Sequence, residues 1–278
     1  MTLIHFILNL AALLLWVKWR LQPTAIPASS PSLAVGSLLP RTPRHETRWI
    51  LPGALIALLL GRAFFYWQLS PASDWIARLD LGIVTLAFRS DFGWEMFLYS
   101  FASFGLWLTV FHLSLLLLLI TNRNIALHVP GMRWMRSQLG WLAHRAIPLQ
   151  LLLPWFAATL LWMPAGLLLP HWGLLPAASP LQILGQGALI ALAMFLSWKY
   201  VIVGLLVLHL LHNYLHLGSH PFWNFVEESG RQFLRPLRWC PLQLGPIDLA
   251  PAVGAAAAWF GAKYTALLLT WIYARLAP

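Results

Sequence analysis

The chain of 278 residues is 60% hydrophobic and 9% charged, with a formal net charge of +10. This composition, with a mean hydropathy of +0.71, excludes an ordinary water-soluble domain and places the chain in a lipid bilayer. The single cysteine, Cys240, excludes an internal disulfide and a CxxC redox motif.

Six apolar stretches are long enough to cross a membrane. About 20 apolar residues are needed for a hydrocarbon core of about 30 Å, and each stretch must be helical because lipid cannot satisfy free backbone groups. The predicted fold class is therefore all-α, a polytopic transmembrane helical bundle of about six spans. The predicted spans lie near residues 2–17, 50–68, 95–121, 149–170, 186–212 and 250–274.

The first span is predicted to remain as an uncleaved anchor. Its charges follow the apolar run rather than precede it, and no convincing small-x-small cleavage site comes next. Residues 22–47, rich in Pro and Ser, are predicted to form a flexible cytoplasmic linker.

Most basic residues fall in three alternate loops, which the positive-inside rule assigns to the cytoplasm. Both termini are therefore predicted on the outer side, and the positive loops are expected to attract anionic lipid head groups. No basic run is interleaved with aromatics away from the membrane edges, so no nucleic-acid partner is expected. The basic residues of these loops are Lys18, Arg20, Arg41, Arg44, Arg48, Arg123, Arg133, Arg136, Arg145, Arg231, Arg235 and Arg238.

An internal repeat relates residues 122–162 to residues 213–259. Each copy reads as a helix, an amphipathic basic loop, a proline-containing helix start and a second helix. Two spans per copy preserve direction, which predicts parallel repeats. The predicted domains are an N-terminal extension, 1–94, a degenerate first repeat, 95–180, and a second repeat, 181–278. Matched positions are Asn122 with Asn213, Pro130 with Pro221, Arg145 with Arg238, Gln150 with Gln243 and Trp162 with Trp259.

Residues 219–251 carry, in order, His-Pro, an amphipathic segment with two glutamates, Leu-Arg-Pro-Leu-Arg, a Gly-Pro turn and Ile-Asp-Leu-Ala-Pro. This order resembles the signature of the YggT (YlmG) family of small bacterial and plastid membrane proteins. The resemblance is strong over 190–275 and weak over 95–170, where Leu151 stands in the place of Asp248. The structural residues of the motif are Pro221, Pro236, Pro241, Gly245, Asp248 and Pro251.

The resemblance implies a non-enzymatic protein of the bacterial inner membrane that acts in assembly or organisation of a membrane protein complex, or in envelope and osmotic-stress tolerance. It implies other membrane proteins, or a second copy of the chain, as partners, and no cofactor. No nucleophile elbow, nucleotide-binding loop or metalloprotease motif in the sequence argues for an enzyme.

Between 222 and 237, apolar side chains take one helical face and charged or amide side chains take much of the other. This pattern predicts an interfacial helix on the inner leaflet. The helix is either a plain membrane-surface helix or a docking face for a membrane protein or an anionic lipid. The contacting residues would be Phe222, Trp223, Arg231, Arg235 and Arg238.

Asp248 precedes the last helix and is predicted to cap it, with Arg235 or Arg238 as an ion-pair partner. Within that helix, small residues at spacings of four predict close packing, either inside the bundle or against a partner protein or second copy. These small residues are Gly254, Ala258, Gly261 and Ala262.

Four histidines recur at i, i+3, i+7 and i+11, which predicts that they share one helix face near the cytoplasmic surface. Such a row can bind a metal or supply an axial haem ligand, or it can be a wet helix edge, which is the interpretation adopted here. The residues are His209, His212, His216 and His220.

Lys199 and Lys263 lie about 12–13 residues from the predicted cytoplasmic edges, on the order of 18–20 Å deep. Ionisable groups near the bilayer middle are functional candidates, unless the long side chains snorkel outward. Arg62 is expected nearer the outer edge and is expected to snorkel. The alternative function is therefore a transporter or a haem or metal carrier that uses the lysines or the histidines. The lack of an intramembrane carboxylate relay and of a clear broken-helix pair argues against transport.

Overall fold

A computed structural model describes residues 2–21, 47–69, 76–123, 130–215, 218, 220–239, 242–244 and 247–276. Within these ranges the helices are α1 (Thr2–Leu21), α2 (Thr47–Leu69), α3 (Gly93–Thr121), α4 (Pro130–Leu139), α5 (Ile147–Leu168), α6 (Pro180–Phe195), α7 (Trp198–Leu215), α8 (Pro221–Leu234) and α9 (Ala250–Leu276). The strands are β1 (Ala77–Asp80), β2 (Thr85–Phe88), β3 (Gln243–Leu244) and β4 (Ile247–Asp248).

Six segments are long and apolar enough to cross a membrane, which confirms the predicted all-α transmembrane class. Their helices satisfy the backbone internally, as a bilayer requires. The six segments are Leu3–Leu21, Trp49–Leu69, Gly93–Thr121, Ile147–Trp172, Pro180–Leu215 and Ala250–Leu276.

The fifth span, Pro180–Leu215, has 36 residues and is interrupted between α6 and α7. At the interruption the N–H groups of Leu196 and Ser197 donate to carbonyls three residues earlier, at 3.0 and 3.2 Å. The Ser197 hydroxyl donates to the Met194 carbonyl at 2.7 Å, so this side chain competes with the helical ladder. The sequence indicated no broken-helix pair, and the described spans contain this one break.

A β-hairpin between α2 and α3 was not predicted. Its turn is closed by a hydrogen bond from Leu81 N to Val84 O at 2.8 Å, and Gly82 has a φ of +93°, a conformation that favours glycine. Burial alternates along both strands, as expected for a sheet with one covered face. The buried strand residues are Ala77, Leu79, Leu86 and Phe88.

Contacts divide the chain into two units. The first contains Met1–Ala77 and Phe88–Leu108, and the second contains Arg78–Ala87 and Thr109–Pro278. The division falls within α3. The first unit has an apolar core of Ala12, Leu55, Leu59 and Phe104.

One order of elements occurs twice along the chain. A long helix is followed by a short amphipathic helix, a 3₁₀ turn and a second long helix: first α3, α4, Gly140–His144 and α5, then α7, α8, Arg235–Trp239 and α9. The amphipathic helices α4 and α8 begin at Pro130 and Pro221, which the predicted repeat aligned. Proline suits the first helical turn because no intrahelical partner is lost there. The repeat therefore has a counterpart in the order of the elements.

Candidate functional site

The amphipathic helix α8 packs closely against α7. Its buried residues are Val226, Ser229, Gly230 and Leu234. A Cβ atom placed on Gly230 would lie 2.6 Å from Cγ and 2.9 Å from Cβ of His209 on α7, so only glycine permits this approach. Ser229 also accepts a hydrogen bond of 2.9 Å from Asn122 Nδ2 at the end of α3. Helix α8 is therefore anchored to two spans.

Charged and amide side chains on the outer face of α8 pair with one another. Arg231 Nη2 donates to Glu227 Oε1 at 2.5 Å, four residues earlier, and Gln232 pairs with Glu228 at 3.0 Å. Phe222 and Arg235, which the sequence predicts to contact a lipid or a partner protein, are exposed. Trp223 instead stacks on the ring of His212, with centroids 5.4 Å apart and an interplanar angle of 2°.

Asp248 caps α9 as predicted, because its Oδ1 accepts a hydrogen bond of 2.9 Å from Ala250 N. No ion pair joins Asp248 to Arg235 in the part of the chain that the structure describes. The side chain of Arg238 lies outside the described residues, as do Pro241 and Gly245. Pro236 is exposed within the 3₁₀ turn, and Pro251 is buried in the first turn of α9.

His220 does not share a helix face with His209 and His212, so the prediction of one histidine face is wrong. Helix α7 ends at Leu215, and His220 caps α8, where its Nδ1 accepts from Phe222 N at 3.2 Å. His209 is buried against Gly230, and His216 lies outside the described residues. His209, His212 and His220 therefore lie at the junction of α7 and α8. Among the described residues, no group of three His, Cys, Asp or Glu side chains is placed to hold a metal ion.

The small residues of α9 fall into two environments. A Cβ atom on Gly254 would lie 3.1–3.2 Å from Leu206, Leu234 and Leu237, so this glycine packs inside the second unit. Gly261 is exposed and has no atom within 4 Å of such a Cβ, and Ala258 and Ala262 are half-buried. Close packing inside the bundle is therefore found only near the start of α9, at Gly254.

Lys199 and Lys263 flank one tryptophan on the surface of α7 and α9. The Lys199 ammonium lies 5.3 Å from the ring centroid of Trp259 and 4.9 Å from that of Tyr200. Trp259 and Lys263 are four residues apart on α9 and so lie on the same helix face. We call Lys199, Tyr200, Trp259 and Lys263 the lysine face. Lys263 is exposed and has no polar or ring contact to any described residue.

The lysine face lies deep within the membrane-spanning segments. Lys263 is 13 residues from each end of α9, Ala250–Leu276, which is about 20 Å at a rise of 1.5 Å per residue. A lysine side chain spans only part of that distance. The sequence places one carboxylate, Glu95, in the six spans. Glu95 is buried in the first turn of α3, where it accepts from Arg89 N at 2.6 Å.

A buried polar core in the first unit was missed by the sequence analysis, and the prediction that Arg62 snorkels is wrong. Arg62 is only 3% exposed. Its Nε donates to Ser100 Oγ at 2.9 Å, its Nη1 donates to Asn9 Oδ1 at 2.6 Å, and its Nη2 donates to the Ser100 carbonyl. No carboxylate contacts this guanidinium in the described ranges. The polar core contains His5, Asn9, Arg62, Tyr66, Tyr99, Ser100 and Ser103.

The polar core holds His5 in a defined tautomer. Asn9 Nδ2 donates to His5 Nε2 at 3.0 Å, so a neutral imidazole carries its proton on Nδ1, which lies 3.1 Å from the Tyr66 hydroxyl. Asn9, Arg62 and Ser100 each lie seven residues from the end of their helix. All three are therefore about 10 Å from the helix ends, at one level of the bundle.

Comparisons of the chain with protein family models, curated proteins and solved structures found no match. The YggT resemblance therefore stays a prediction that rests on the motif residues alone.

Proposed function

We propose that the chain is a non-enzymatic multi-pass membrane protein that acts in assembly or organisation of a membrane protein complex. The observation that carries this proposal is the lysine face, a pair of amines inside the spans that pair with no carboxylate among the residues that the structure describes. A charged side chain at the centre of a span costs about 2.5–3.5 kcal/mol on insertion scales, so it needs a partner there.

The missing counter-charge indicates the kind of partner. A second copy of the chain offers only Glu95 within its spans, and Glu95 is already buried and hydrogen-bonded. The partner is therefore a different membrane protein with an aspartate or glutamate inside a span.

The amphipathic helix α8 supports the same function. It is fixed to the ends of α3 and α7 through Ser229 and Gly230, so its outer face has a defined orientation. The YggT resemblance, in which this segment is the signature, points to assembly and envelope roles. We place the protein in the bacterial inner membrane, with α8 on the cytoplasmic side, as the basic loops predict.

The test compares wild type with Lys263→Leu and uses Lys18→Leu as the matched control. The chain has three lysines, and Lys18 lies in the last turn of α1, near a helix end. Each protein is purified in mild detergent, and copurifying membrane proteins are quantified by mass spectrometry.

We expect one partner with a carboxylate in a span to copurify stoichiometrically with wild type and Lys18→Leu, and to fall at least tenfold with Lys263→Leu. An unchanged partner profile in Lys263→Leu, together with a higher unfolding temperature, contradicts the proposal. That result would mean that the lysine is only an unfavourable charge facing lipid.

A second function, transport of an anionic solute, is favoured by the helix break beside Lys199. Lys199 lies in the first turn of α7, and discontinuous helices bind substrates in transporters. Chloride- or sulfate-loaded proteoliposomes test it. Release that is faster than from empty liposomes and is abolished by Lys199→Gln would favour transport over assembly.

A further inference from the structure

A small open cavity of about 190 Å³ lies where α3 ends and where α4, the Gly140–His144 turn and α5 meet. Three guanidinium groups line it, from Arg123, Arg136 and Arg145, together with His144 and Gln150. We propose that this cavity binds a phosphate group, from the head group of an anionic lipid or from free phosphate.

No carboxylate among the described residues neutralises the arginines of the cavity. No aspartate or glutamate occurs between residues 96 and 226, and none of the three arginines has an ion pair within the described ranges. The Nε atom of Arg136 is inaccessible to solvent and has no hydrogen-bond partner among the described residues. A buried donor of this kind needs an acceptor, and a phosphate oxygen satisfies a guanidinium in its preferred planar geometry.

Neighbouring groups keep the arginine donors available. The carbonyls of Leu142 and Ala143 each accept from Gln150 Nε2 at 3.2 Å, so Gln150 occupies the acceptors that the turn would otherwise offer. The guanidinium carbon of Arg145 lies 5.4 Å from the ring centroid of Trp141, which orients this side chain without removing its charge. The cavity therefore combines oriented donors with an uncompensated positive charge.

The location suits a phosphate at the membrane surface. Arg123 is two residues beyond the end of α3 at Thr121, and this end belongs to a loop that the basic residues assign to the cytoplasmic face. Anionic lipid phosphates lie at that level. The cavity, of about 190 Å³, is open and is large enough for a phosphate group.

The experiment uses the full-length chain in nanodiscs of phosphatidylcholine alone or with phosphatidylglycerol or cardiolipin. Wild type is compared with Arg136→Gln and Arg145→Gln. The control is Arg133→Gln, which lies on the same helix as Arg136, is exposed and does not line the cavity. Native mass spectrometry counts retained lipids, and unfolding temperatures in phosphatidylcholine discs are compared in inorganic phosphate and in chloride of equal ionic strength.

If the source is a lipid, wild type and Arg133→Gln retain an anionic lipid after dilution into detergent, and retention falls about tenfold in each cavity variant. If the source is free phosphate, inorganic phosphate raises the unfolding temperature of wild type and Arg133→Gln in phosphatidylcholine discs but not that of the cavity variants. Equal lipid retention and equal phosphate response in all four proteins would overturn the proposal.

The proposal can still be tested if Arg136→Gln does not fold. Arg145 is exposed, so its substitution removes charge without opening the core. Arg136→Lys keeps the charge and loses the planar donor geometry, so we expect its binding to be several-fold weaker than that of wild type. Full binding by both Arg145→Gln and Arg136→Lys would also overturn the proposal.

Discussion

Gly230→Ala tests the docking of α8 on α7. The new Cβ would lie 2.6 Å from Cγ and 2.9 Å from Cβ of His209. The second atom is fixed to the α7 backbone, so a rotamer change of His209 does not relieve the contact. Carbon atoms pack best at about 3.5–4.0 Å, so α8 must move by about 1 Å. Overpacking of this size costs about 1–3 kcal/mol, against a gain of up to about 1 kcal/mol in helix propensity.

We therefore expect the free energy of unfolding of Gly230→Ala to lie about 1–3 kcal/mol below that of the matched control Gly261→Ala. Both variants gain the same helix propensity, but the Cβ of the control meets no atom within 4 Å. Unfolding is followed by tryptophan fluorescence in detergent. Equal unfolding curves for the two variants would refute the close packing of α8 on α7.

Three further predictions concern hydrogen bonds and charge. Asn9→Leu leaves Arg62 Nη1 without its acceptor and is expected to destabilise by about 3 kcal/mol, whereas Asn9→Leu/Arg62→Met restores part of this stability in the same unfolding assay. Asp248→Ala removes the α9 cap and is expected to cost about 1 kcal/mol, with Asp248→Asn as control. The hydrogen bond from Arg89 lowers the pKa of Asp91. The pair therefore stabilises the fold above the unfolded pKa of the carboxyl, and this stabilisation is lost as the pH falls through the lower folded pKa. Because both groups are exposed, the stabilisation is small, and Asp91→Asn is expected to leave the unfolding midpoint unchanged between pH 5 and 7.

The spans and the amphipathic helix were predictable because each has a one-dimensional pattern. A run of about 20 apolar residues has one structural outcome in lipid, and the two-faced pattern of α8 needs no tertiary contact to be recognised. The cap at Asp248 was predictable for the same reason, since it depends only on residues two positions apart.

The polar core was missed because its members come from three helices. His5 and Asn9 share a face by spacing, as do Arg62 and Tyr66, so two polar pairs in apolar spans were the available signal. Their meeting with Ser100 depends on helix rotations that the sequence does not give. The histidine prediction was wrong for a different reason, because the spacing assumed that His209 and His220 belong to one helix, whereas His220 caps α8.

The hairpin was overlooked although its signal is local. Residues 77–81 alternate between apolar and polar side chains before Gly82, whereas Leu86, Ala87 and Phe88 are all apolar. The alternation therefore marks only the first of the two strands. The break in the fifth span is harder to predict, because it arises from the Ser197 hydroxyl bonding to a carbonyl three residues earlier.

The central claim, that the lysine face pairs with a carboxylate of another membrane protein, is tested most directly by crosslinking. A membrane-permeant carbodiimide joins an amine to a carboxylate only when the two groups are in contact. The account predicts a crosslink from Lys263 to an aspartate or glutamate inside a span of a different protein, with no such product from Lys18. A crosslink from Lys263 to Glu95 of a second copy, or the absence of any Lys263 product in native membranes, would contradict it.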